Sequence, residues 1–167
     1  MVTARDRRIQ IWMVGLVVIV DQATKLLVGR QLELHESISV IPGFFDLTRV
    51  HNTGAAFGFM NAVELPYKTA VLAVIRAAAL VALSLFAATL PASQWLARSG
   101  VALVLGGAVG NLIGSLTSGY VLDFFDFYWR GWHFWAFNVA DASISVGMAL
   151  IVLDQLGLER HRVSRTL

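Results

Sequence analysis

An all-α membrane protein follows from this chain of 167 residues, built as a four-transmembrane-helix bundle with a small extramembrane β-sheet and an interfacial helix. Composition excludes a soluble globule. Hydrophobic residues make up 57% and charged residues 14%, against roughly 45–50% and about a quarter in soluble domains. Four apolar stretches, 9–28, 69–90, 97–117 and 137–156, reach the roughly 20 residues that a helix needs to cross a bilayer core. Lysine and arginine are distributed unevenly between the segments that join them. Cysteine is absent, which excludes disulfides, thiolate metal sites and a cysteine nucleophile. A net charge of +2 without a long basic tract speaks against a nucleic-acid partner.

The first stretch resembles a secretory signal, because Arg5, Arg7 and Arg8 precede an apolar run from Ile11 to Val20. No small-x-small cleavage site follows, and Asp21, Gln22 and Lys25 continue at helical spacing, so a retained span is expected. The second stretch holds Arg76 about eight residues in, where its side chain either snorkels to the interface or pairs with an acid. In the third, Gly106, Gly110 and Gly114 fall four apart. This small-residue stripe lets a neighbouring helix approach closely, within the bundle or between two chains. Asn111 beside it is expected to point into the bundle, since an amide at lipid depth needs a partner. The fourth stretch follows Asn138, with Asp141 one turn in.

Charges orient the bundle. Arg5, Arg7, Arg8, Arg98, Arg160, Arg162 and Arg165 share the N-terminal side with three acids, a net +4. The opposite side carries five bases and eight acids, a net −3. Both termini are therefore expected inside, and the acids outside.

Residues 29–67 form the one sizeable extramembrane region. Ser37–Ile41 and Phe44–Val50 alternate imperfectly around Pro42-Gly43, a pair suited to a type II turn, which predicts a sheet of two or three strands. The apolar patch at 54–60 suits the membrane interface. Residues 120–137 hold ten of the eighteen aromatics, either as a belt at headgroup level or as the wall of a groove for a lipid-modified substrate.

Two acids stand among apolar neighbours at the outer ends of spans: Asp123 in Val-Leu-Asp-Phe-Phe, and Asp141 in Phe-Asn-Val-Ala-Asp-Ala. Such acids are candidates for function. They also have plainer readings: Asp123 as a solvated interfacial acid, Asp141 as the partner of Asn138 in a helix cap. If the two meet, they share a proton, because like charges a few ångströms apart do not both ionise cheaply. The ionised partner then activates water and the neutral one polarises a peptide carbonyl, with neither role assigned to one residue. His35, His51, His133 and His161 show no metal-ligand spacing, and Ser115 lies in no Gly-x-Ser-x-Gly motif.

Five ordered blocks resemble the lipoprotein signal peptidases (signal peptidase II): Asp21-Gln22-Ala-Thr-Lys25, Asn52-Thr-Gly54-Ala-Ala-Phe57, Gly106-Gly-Ala-Val-Gly110-Asn111-Leu, Val-Leu-Asp123-Phe and Phe-Asn138-Val-Ala140-Asp141. The resemblance spans nearly the whole chain. It implies one polytopic domain over 1–167, a monomer of the bacterial inner membrane, with a periplasmic sheet and a lid-like interfacial helix at 54–60 over a periplasmic site. It implies an aspartic endopeptidase that removes the signal peptide from diacylglyceryl-modified prolipoproteins, before the lipid-bearing cysteine, in contact with membrane lipid and without cofactor or metal. Asp123 and Asp141 take the catalytic positions, and Asp21, Lys25, Asn52, Gly54, Asn111 and Asn138 the supporting ones. One departure stands out: where the family has Asp-Arg after Gly-Asn-Leu-x, this chain has Gly114-Ser115. That departure motivates an alternative, a catalytically weak or inactive paralogue that binds lipopeptide or inhibitor.

Overall fold

Thr3 opens the first helix. Its hydroxyl accepts from the Asp6 amide while the Asp6 carboxylate accepts from the Thr3 amide, satisfying two donors that a helix start leaves open. The computed structural model describes residues 3–53 and 67–157, and this helix, α1, runs Ala4–Gln31. Its buried residues, Val17, Asp21 and Lys25, fall four apart on one stripe. Ile11, Trp12, Leu16 and Ile19 are more than half exposed, an apolar exterior that water would not tolerate but lipid does.

Beyond α1 come β1 (Ser37–Ile41) and β2 (Phe45–Asn52). Between them the Phe44 amide donates to the Ile41 carbonyl at 3.0 Å, and Gly43 sits at φ +80°, the backbone a type II turn requires of its third residue. Then follow α2 (Lys68–Thr89) and α3 (Trp95–Ser118). Gly119, at φ +77°, ends α3 in the left-handed conformation and turns the chain at once into β3 (Val121–Trp129). After β4 (Trp132–His133), α4 runs Val139–Gln155. The strands form one antiparallel sheet in the order β1-β2-β3-β4.

The sheet is larger than the sequence predicts, because β3 is drawn from the aromatic segment. Aromatic residues favour both headgroup anchoring and strands, and here they divide. Phe124 is buried; Phe45 stacks on Phe127 with ring centroids 4.6 Å apart, and Phe125 packs on Phe137. Trp129, Trp132 and Trp135 stay exposed.

Among the described residues three helices are long and apolar enough to cross a membrane: Ala4–Gln31, Ala70–Thr89 and Trp95–Ser118. The stretch predicted as a fourth span forms α4, whose 17 residues fall short of the roughly 20 expected of a straight crossing.

α3 is the hub. A β-carbon on Gly106 would lie 2.8 Å from Val17 Cβ, and one on Gly110 would lie 2.6 Å from Asp21 Oδ2, both on α1. On another face, Gly100 meets the Gly147 carbonyl and Gly107 the Ala140 carbonyl, both on α4. The glycine stripe thus packs within one chain. Gly107→Val is expected to force α3 and α4 apart and cost at least about 1–3 kcal/mol, read as a lowered unfolding midpoint in detergent. Gly15→Ala, which meets nothing within 4 Å, is the control and should be neutral or slightly stabilising.

Candidate active site

The capping of α4 brings the site together. Asn138 Oδ1 accepts from the Asp141 amide at 3.0 Å, and Asp141 Oδ2 accepts from the Asn138 amide at 3.2 Å. The plain reading of Asp141 as a cap residue is therefore correct. It does not compete with a functional one, since the cap fixes where the carboxyl stands. Asp141 Oδ1 accepts from Asn111 Nδ2 on α3 at 2.8 Å.

Asp123 reaches the same place from β3, where it pairs with Val50 of β2. It is 3% exposed, so the reading as a solvated interfacial acid fails. Asn138 Nδ2 donates to its Oδ1 at 2.6 Å, and Asn52 Nδ2 to its Oδ2 at 3.1 Å. One asparagine, Asn138, thus touches both acids. Burial pushes the Asp123 carboxyl up to about 7, the Asp141 charge adds to the rise, and the donors from Asn52 and Asn138 offset part of it.

Behind the acids lies a polar chain. Asp21 is fully buried and accepts from Lys25 Nζ at 2.8 Å, Gln22 Nε2 at 2.9 Å and the Ala140 amide at 3.0 Å. Lys25 Nζ also donates to Asn111 Oδ1 at 2.9 Å, and Asn138 Nδ2 reaches the same oxygen at 3.2 Å. With one amide face held by Lys25, Asn111 can present only its NH₂ group to Asp141. The ion pair on α1 therefore orients a carboxyl on α4 through an amide on α3.

Of the eight residues singled out from the sequence, seven converge: Asp21, Lys25, Asn52, Asn111, Asp123, Asn138 and Asp141. Gly54 and the predicted interfacial helix at 54–60 lie outside the described residues. Gln22 was not singled out, yet it bridges Asp21 and the Gly110 carbonyl; its place beside Asp21 was the available signal. Arg76 also enters, through a hydrogen bond from Nη1 to Ser115 Oγ. No cluster of three or more His, Asp or Glu suited to a metal occurs among the described residues.

Two carboxyls, Asp123 buried and Asp141 partly buried, held by neutral amide donors, are suited to activating water against a peptide carbonyl. Comparisons with known proteins point the same way. A family model described as signal peptidase (SPase) II matches residues 13–157. The lipoprotein signal peptidase of Geobacter metallireducens is 43% identical over 144 residues, covering 86% of this chain and 88% of that protein. That of Syntrophotalea carbinolica is 45% identical over 148 residues, covering 89% and 91%. A solved structure described as a bacterial membrane enzyme superposes with a TM-score of 0.76 at 33% identity, covering 89% of this chain and 87% of that one.

Proposed function

The chain belongs to the signal peptidase II family, and on that premise we propose that Asp123 and Asp141 are the groups that perform its hydrolysis. It is an aspartic peptidase that cleaves lipoprotein signal peptides. The substrate is a diacylglyceryl-modified precursor, cut just before the lipid-bearing cysteine.

The observation that carries the assignment is the convergence of both carboxyls on Asn138. With one proton shared, the ionised carboxyl takes a proton from water as the water oxygen bonds to the scissile carbonyl carbon. The protonated carboxyl gives its proton to the carbonyl oxygen. Collapse of the tetrahedral diol breaks the C–N bond: the leaving nitrogen receives a proton from the protonated carboxyl while a diol hydroxyl returns its proton to the ionised one. One water is consumed, and the pair returns to its starting state. The macroscopic pKa values belong to the pair, so neither acid is named as the base.

In this reading both termini lie in the cytoplasm and the site faces the periplasm, in keeping with the +4 and −3 division of charge. α4 completes the bundle as its fourth, short span, with the capped Asn138 end at the outer surface. One chain holds every member of the polar network, which favours a monomer acting alone within surrounding lipid.

The test is cleavage of a diacylated precursor by the purified protein, followed as a gel shift. Release of the signal peptide is expected. Binding of precursor without turnover by the wild type would instead favour the inactive-paralogue reading that Gly114 and Ser115 raise.

A further inference from the structure

From Ala70 to Thr89, Arg76 is the only charged residue. A guanidinium at that depth is costly unless the protein gives it partners. Its Nη1 donates to Ser115 Oγ, a hydroxyl only 3% exposed in the last turn of α3. The guanidinium also interacts electrostatically with both Asp141 and Asp123. Ser115 stands four residues beyond Asn111 on α3, one turn from the amide that holds Asp141. α2 therefore brings a positive charge to the part of α3 that adjoins the amide holding Asp141.

Among the described residues, other charged and polar groups reach the pair from several elements. From α1 come Asp21 and Lys25, already joined to each other at 2.8 Å. From α3 come Asn111 and Ser115, from β2 Asn52, and from α4 Asn138. Lys25 is bonded to the buried Asp21 and touches Asp141 through the Asn111 amide, and its charge also acts on both Asp123 and Asp141.

We propose that Arg76, anchored on Ser115, is a positioning residue of the active site that stabilises the single negative charge of the Asp123–Asp141 pair. The proposal rests on the assignment of those two acids as the hydrolytic pair. Arg76 acts through them: a cation facing the pair favours its ionised form, so the pair gains its working charge at lower pH than it would without Arg76. Ser115 holds the guanidinium at the end of its side chain.

The experiment compares full-length wild type, Arg76→Lys, Arg76→Gln and Arg76→Gln with Ser115→Arg. Each is purified in detergent, with unfolding midpoints measured first and kcat and KM for a diacylated precursor then followed from pH 5 to 9. Arg76→Gln is expected to move the acid limb of the profile upward by on the order of one pH unit, which lowers kcat by about tenfold at a fixed pH on that limb. Arg76→Lys should keep most of the wild-type position. Ser115→Arg should restore the limb in the Arg76→Gln background, because it returns a guanidinium to the same corner from α3. Infrared titration of the carboxyl band reads the same displacement without turnover. A limb that stays put in Arg76→Gln, whether or not kcat falls uniformly, would overturn the proposal and leave Arg76 a structural residue. So would a shift that Ser115→Arg does not reverse. Asp123→Asn run alongside separates the two levels: retained cleavage in that variant would contradict the assignment of the pair itself.

Discussion

Asp123→Asn and Asp141→Asn are each expected to lower kcat by about 10²–10⁴-fold, the usual contribution of a positioned acid or base, while the protein still accumulates in the membrane. If the two acids act as one unit, the double variant should be hardly worse than either single one. The fold should survive for a stated reason. Both oxygens of Asp123 accept from amide NH₂ groups, of Asn138 and Asn52, so an asparagine there sets one donor against another and costs about 1–3 kcal/mol. Removing a buried carboxyl pushed up to about 7 returns part of that cost, because the charged form is no longer forced out of water. The measurement is single-turnover cleavage of a diacylated precursor beside the unfolding midpoint of each variant. A variant that unfolds normally yet cleaves at the wild-type rate would remove that acid from the mechanism.

The second large effect is on stability. Lys25→Met is expected to cost about 3–5 kcal/mol, because it leaves the fully buried Asp21 without its counter-ion. For a chain of this size that is a fall in midpoint on the order of 10 °C. Activity should fall as well, since Lys25 also holds Asn111 Oδ1 and so fixes which end of that amide meets Asp141. Lys25→Met with Asp21→Asn removes both charges and should recover much of the stability but not the orientation of Asn111. A double variant with restored stability and full activity would show that the α1 pair serves the fold alone.

Most of this site was legible because polar residues among apolar ones are conspicuous. Asp21, Lys25, Asn111, Asp123 and Asp141 each interrupt a hydrophobic run, and such groups must be drawn together to be satisfied at all. Asn138 was legible as a cap, and the cap proved to be the device that places Asp141. The helices followed from length and hydropathy, with ends moved by a few residues: 9–28 became Ala4–Gln31, because the Thr3–Asp6 cap starts the helix before the apolar run does.

What escaped the sequence did so for physical reasons. The run Val121–Trp129 is rich in residues that serve equally as headgroup anchors and as strand formers, and only pairing with Phe45–Asn52 decides between them. The glycines of α3 announce close packing but not its direction. The structure divides them, Gly106 and Gly110 toward α1, Gly100 and Gly107 toward α4. Arg76 left two options open in one helix considered alone, and its bond to Ser115 on α3 emerges only once the helices pack.

The central claim is that one proton shared between Asp123 and Asp141 performs the cleavage, and the pH dependence of kcat tests it most directly. Asp123 holds a proton up to about pH 7. The active, singly protonated pair should therefore be lost as pH rises through that value and lost again at low pH when the second carboxyl protonates. A bell-shaped profile with its alkaline limb near pH 7, absent in Asp123→Asn and Asp141→Asn, is the predicted result. A wild-type kcat that stays level or keeps rising to pH 9 would contradict a mechanism built on that shared proton.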